Sequence, residues 1–156
     1  MIELKNISSG YGKKQVLFDI NETMNGGEIT SIVGPNGCGK STLLETASGL
    51  MQPLAGSVLV NGEDVHKIKA KKRACIISVL SQQKNPGTLT VKALVFHGRF
   101  PYLGYPRRYT EKDIEIVENA MKTAGVYEIA DQSLSALSGG QQQRVAIARA
   151  LASDPK

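Results

Sequence analysis

Little in this sequence offers redox or metal chemistry. Its two cysteines, Cys38 and Cys75, form no C-x-x-C pair and no metal-ligand spacing. Of its two histidines, His97 stands without a partner pattern and receives no chemical role. No apolar run approaches the roughly 18 residues of a membrane span. The opening Met1-Ile2-Glu3-Leu4-Lys5-Asn6 lacks a signal-peptide core, so a cytosolic location is expected. The composition, 41% apolar and 21% charged, is that of a globular domain with a real core. The net charge of +5 gathers in Lys67, Lys69, Lys71, Lys72 and Arg73, and in Arg107 and Arg108. Such clusters suit nucleic acid or an anionic membrane surface. No aromatics interleave the lysines, however, as single-strand binding requires. A solvated basic face is the simpler reading.

Gly34-Pro35-Asn36-Gly37-Cys38-Gly39-Lys40-Ser41 reads G-x-x-x-x-G-K-S, a phosphate-cradling loop. The apolar run Ile29-Thr30-Ser31-Ile32-Val33 predicts a short buried strand entering it. Leu43, Leu44, Ala47 and Leu50 follow at helical spacing. Glycines permit the positive-φ geometry of a loop wrapped around an anion. Successive N–H groups then point inward, and the helix adds its positive dipole end. Lys40 supplies charge for the β/γ-phosphates, and Ser41 a hydroxyl for magnesium. Cys38 reads as a small filler within the loop.

The rest predicts alternating elements. Ile2–Lys5 and Val16–Ile20 read as strands of an antiparallel layer, with turns at 10–12 and 25–28. Tyr11 either stacks on an adenine ring or covers its turn. Ser57–Val60 reads as a strand before the Asn61-Gly62 turn, and 65–73 as a short exposed helix. Ile76–Leu80 has strand length and ends in Ser81-Gln82-Gln83. A polar pair at that position is either a ligand contact or a plain loop. Thr90 begins a helix, and 98–106 reads as an aromatic, proline-rich loop offering a contact surface. Thr110, with Asp113 three residues on, caps a helix whose stripe is Ile114, Val117, Ala120, Met121 and Ala124, ending at Gly125. Leu137-Ser138-Gly139-Gly140-Gln141 contains an S-x-x-Q capping box before a helix with Val145, Ala148 and Leu151 on one face. It is either a second prepared anion site or an ordinary capped start.

Together these stretches resemble the ATPase subunit of ATP-binding cassette (ABC) transporters over essentially the whole chain. Gly34 to Ser41 matches the family's Walker A loop, and Leu137 to Gln141 its LSGGQ signature, continued by Gln142-Gln143-Arg144. Gln82 matches the Q-loop glutamine, and Tyr11 the adenine-stacking aromatic. Gly-Arg-Phe-Pro-Tyr-Leu-Gly at 98–104 resembles importers of ferric siderophores, haem and cobalamin.

The resemblance implies an α/β P-loop NTPase: a RecA-like parallel sheet flanked by helices, with an N-terminal antiparallel β layer and a helical subdomain. Within a single domain over 1–156, about 1–85 would form the nucleotide core and β layer, about 86–136 the helical subdomain, and 137–156 the signature helix. ATP and Mg²⁺ are the implied ligands. Gly34 through Thr42 and Tyr11 would touch the nucleotide. Lys40, Gln82 and Ser138 would act in hydrolysis, and Ser41 and Gln82 would hold the metal. Ser138, Gly139, Gly140 and Gln141 would reach ATP on a second ATPase subunit in a head-to-tail dimer. Membrane permease subunits and, indirectly, a substrate-binding protein are the other implied partners, and no nucleic acid is expected. The implied location is the cytoplasmic face of a bacterial or archaeal membrane, and the implied work is import of an iron–siderophore or related chelate. The family continues into an apolar strand ending in Asp and Glu, which this sequence does not contain. The chain therefore reads as the N-terminal portion of a longer protein. Its sheet is expected to be incomplete, with apolar surface facing water, and the piece alone unstable and hydrolysis-incompetent. A soluble, non-transport ABC ATPase is the remaining alternative.

Overall fold

A computed structural model describes residues 1–80 and 88–155. The chain divides into two compact units, Met1–Arg73 and Ala74–Lys156.

The first unit is built on an antiparallel sheet in the order β2-β1-β3-β4, formed by β1 (Ile2–Tyr11), β2 (Lys14–Met24), β3 (Ala55–Val60) and β4 (Glu63–Asp64). Leu4, Ile7, Leu17, Val58 and Val60 are buried in its core, a register shift between Leu4 and Ile7 interrupting strict alternation. Both β-hairpin strands run further than the apolar runs that announce them, and Tyr11 ends β1 rather than lying in the turn. Asn61 and Gly62, at φ 50° and 84°, make the tight β3–β4 turn. Helix α1 (Lys40–Ala47) rests on the sheet. Its Thr46 hydroxyl donates to Thr42 O at 2.7 Å and lies 2.9 Å from Ser9 Oγ, both side chains buried. Only α2 (Ala70–Ala74) is helical in the basic segment. There Lys67 and Lys72 pair with Asp64 and Glu63.

The second unit is helical: α3 (Val91–Phe96), α4 (Glu111–Thr123) and α5 (Gly139–Ala152). Val91, Leu94, Val95, Val117, Met121, Leu134 and Val145 fill its core. Thr90 caps α3 by accepting from Ala93 N. Thr110 and Asp113 form a full reciprocal capping box on α4, and Gly125, at φ 65°, follows its end. The expected loop at 98–106 is corrected in part. His97–Tyr102 is a 3-10 helix with Pro101 inside it, since so short a tight turn tolerates a missing N–H.

Two expected strands are not formed. Ile29–Val33 and Ile76–Leu80 carry no strand geometry, so the expected parallel sheet is absent among the described residues. Ile29 is 97% and Val33 91% exposed. A run apolar on both faces becomes a strand only when ladders on its flanks take its backbone groups. Neither run has such a neighbour among the described residues.

Gly56 has φ 87°, and a Cβ there would lie 2.3 Å from Asn6 O and 2.4 Å from Lys5 O. Gly56→Ala is therefore expected to destabilise the protein by about 3 kcal/mol, read as a lowered thermal midpoint.

Burial would raise the Asp113 carboxyl. The Thr110 N–H and hydroxyl and the Arg99 guanidinium outweigh it and hold Asp113 below the ordinary value of 3.8. A depressed folded value gives stability that is present above the unfolded value and lost as pH falls through the folded one. The thermal midpoint of the wild type should fall as pH drops from about 5 to about 2.5, and Asp113→Asn should flatten that dependence.

Candidate nucleotide-binding site

The loop before α1 is shaped by glycines in three ways. Gly39 is the helix N-cap at φ 101°, and a Cβ there would crowd Val16 Cγ1 and Leu17 Cδ2 at 3.0 Å. Gly37, at φ 81°, faces open space and is needed for its backbone angle alone. A Cβ on Gly34 would lie 2.9 Å from Cys38 Sγ. Cys38 is a free, exposed thiol whose sulfur lies against Gly34 across the curl. Pro35 O accepts from Cys38 N at 3.5 Å, closing the turn around Asn36.

The first intrahelical bond of α1 runs from Leu43 N to Gly39 O at 2.9 Å. Helical geometry therefore leaves the N–H groups of Lys40, Ser41 and Thr42 without intrahelical acceptors. Together with the helix dipole they form a positively polarised end. Lys40 Nζ lies against the loop itself, donating to Gly34 O at 2.8 Å and Pro35 O at 2.7 Å. Its ammonium can exchange these acceptors for phosphate oxygens. The Ser41 side chain is exposed, whereas Thr42 is buried behind it. Magnesium takes few protein ligands and keeps waters and phosphate oxygens. The exposed Ser41, next in sequence to Lys40 at the start of α1, fits that demand, with no cage of acidic residues required.

Tyr11 is half exposed, and its hydroxyl donates to Glu45 Oε2 at 3.0 Å. The bond fixes the ring beside the helix that carries Lys40 and Ser41. Glu45 is a residue that sequence reasoning missed; it lies 34 positions from Tyr11, and no local pattern marks it. Gln82 lies outside the described residues.

In the second unit Ser138 is the N-cap of α5. Its Oγ accepts from Gln141 N at 3.4 Å, and Gln141 Oε1 accepts from Ser138 N at 2.9 Å. Gln142 Nε2 donates to Leu134 O and Leu137 O, both at 3.1 Å, holding the approach to the helix. The next two residues are the informative ones. Gly139 and Gly140 have ordinary helical backbone, and a Cβ on either would meet nothing within 4 Å. Glycine in a helix costs about 0.5–1 kcal/mol relative to alanine. Among the described residues no close contact requires glycine here, and the start of α5 is left bare.

The comparisons with known proteins agree with these features. A family model described as ABC transporter matches residues 17–156. The iron(3+)-hydroxamate import ATP-binding protein FhuC of Bacillus subtilis is 41% identical over 152 residues, covering 97% of this chain and 56% of that protein. The ferric enterobactin transport ATP-binding protein FepC of Escherichia coli is 42% identical over 151 residues, covering 96% of this chain and 56% of that protein. The chain thus spans about half the length of the curated relatives it matches. A solved dimeric structure of a bacterial ABC transporter cassette aligns at a TM-score of 0.83 and 34% identity, covering 99% of this chain and 71% of that one. The match over residues 17–156 and the 41–42% identity to these relatives show that this chain belongs to the ABC transporter family.

Proposed function

We propose that this chain is the ATP-binding part of a subunit that powers import across a membrane by ATP hydrolysis, with an iron–siderophore or related chelate as cargo. The observation that carries the nucleotide reading is the pair of polarised helix starts. One bears a mobile-chain cation, Lys40; the other bears two glycines that the fold itself does not need. The cargo class rests on similarity to iron-chelate importers at about 41% identity.

Phosphoryl transfer mainly needs positioning and charge neutralisation. Lys40 and the loop's backbone N–H groups hold the β/γ-phosphates, and Tyr11 stacks on the base. Ser41, with Gln82, would hold magnesium, which would supply charge neutralisation at the phosphates. Ser138, Gly139, Gly140 and Gln141 meet the γ-phosphate of a nucleotide on a second ATPase subunit, so each site is finished by a partner in a head-to-tail dimer. Gly139 and Gly140 leave the N–H groups of α5 open to that approach. Permease subunits and a substrate-binding protein complete the assembly, at the cytoplasmic face of the membrane. No helix among the described residues is long and apolar enough to cross a membrane itself.

Replacing Lys40 by Ala in the intact protein is expected to lower ATPase activity by at least a hundredfold, roughly the scale of losing an oriented charge at a reacting phosphate. Unchanged activity would sink the assignment. Measuring ATP binding and hydrolysis separately on residues 1–156 tests the rival reading, a piece that binds nucleotide without hydrolysing it.

Gly140→Ala separates fold from function. The substitution should leave the protein as stable or up to about 1 kcal/mol more stable, by helix propensity, while ATPase activity drops. Thermal melting and a turnover assay on the same sample check both halves.

A further inference from the structure

The 98–104 segment does more than connect two helices. Arg99 and Asp113 are 5% and 6% exposed. Arg99 Nε donates to Asp113 Oδ1 at 2.8 Å, and Arg99 Nη1 to Ala152 O at 3.1 Å. The guanidinium stacks 3.9 Å above the Tyr102 ring. The Tyr102 hydroxyl lies 2.7 Å from Ser153 O and 2.8 Å from Asp154 O, one hydrogen shared between them. Burial pushes the Tyr102 phenol up, so it stays a donor. Asp113 Oδ2 is taken by Thr110 N and Oγ1. Gly98 permits the close approach, since a Cβ there would lie 2.6 Å from Arg149 O. Three successive carbonyls at the end of α5, from residues 152, 153 and 154, are thus held by two side chains of one segment.

We propose that Arg99, with Asp113 and Tyr102, is a positioning clamp that sets the tilt and axial position of α5 and thereby places Ser138, Gly139 and Gly140 against the partner's nucleotide. This rests on the composite-site reading above. A buried ion pair is often no more stabilising than apolar residues of the same volume, because desolvation offsets its attraction. What this pair adds is direction. The core-facing residues of α5, Val145, Ala148 and Ala152, are small and all fully buried. Such a face packs closely but offers few large side chains to resist sliding. The 14 residues of α5 make a rod about 21 Å long. A tilt of about 5° at the clamped end would move its other end by about 2 Å. Misplacement of about 1 Å can cost on the order of a hundredfold in rate. Lysine cannot replace arginine here, because only the planar fork reaches a carboxylate and a carbonyl together while stacking on a ring.

The test uses the intact protein, with a fluorescent ATP analogue for nucleotide affinity and ATPase activity measured against protein concentration. Arg99→Lys keeps the charge and should remain folded by circular dichroism, and its nucleotide dissociation constant should stay within twofold of wild type. The protein concentration giving half-maximal specific activity should rise at least tenfold. Tyr102→Phe, which removes one hydroxyl, should shift it in the same direction by a smaller factor, and it stands in if Arg99→Lys does not fold. Ser138→Ala is the reference for the signature itself. If Ser138→Ala shifts the half-maximal concentration and the folded clamp variants do not, the clamp is overturned alone. An equal loss of nucleotide affinity in a clamp variant also overturns it. If Ser138→Ala leaves that concentration unchanged, the composite-site reading falls, and the clamp with it.

Discussion

Every backbone N–H and C=O in a folded chain must find a partner, and this obligation decides where the present sequence has structure and where it has a site. In the first unit, β1 and β2 take each other's groups along the hairpin, and β3 takes those on the other edge of β1. Ile29–Val33 has the apolar character of a strand and no ladder among the described residues, and Ile29 and Val33 face water. Apolar character sets what a segment would bury; pairing sets whether it becomes a strand at all.

The same obligation shapes the helix ends. Thr110 and Asp113 close the start of α4 by side-chain bonds, and Arg99 and Tyr102 close the carbonyls at the end of α5. At the starts of α1 and α5 the satisfaction is partial. α1 begins on Gly39 with no side-chain cap, and the box on α5 leaves the bare backbone of Gly139 and Gly140 exposed beside it. A helix start that local folding leaves unfinished is suited to an anion, and the proposed function uses both.

What could be read from the sequence follows the range of the interactions involved. The Thr110–Asp113 and Ser138–Gln141 boxes span three residues each, and both formed as their spacing predicts. The Asn61-Gly62 turn and the glycine loop are also local, and were legible for that reason. Arg99 was not. It binds Asp113 14 positions away and Ala152 53 positions away, and among aromatics and prolines it read as part of a loop. Tyr11 was legible as a candidate, but the Glu45 contact that fixes its ring was not. Runs 29–33 and 76–80 have the apolar character of strands, and with no neighbour to pair among the described residues the expected sheet stays incomplete there.

The bonds from Lys40 to Gly34 O and Pro35 O have a further consequence. The ammonium is already solvated by its own loop, so any anion that enters must win a competition against two well-placed carbonyls. On the proposed nucleotide reading, a polyphosphate would present several oxygens at once and meet the loop's free N–H groups in the same step, so the loop's own carbonyls would act as a threshold on ligand valence.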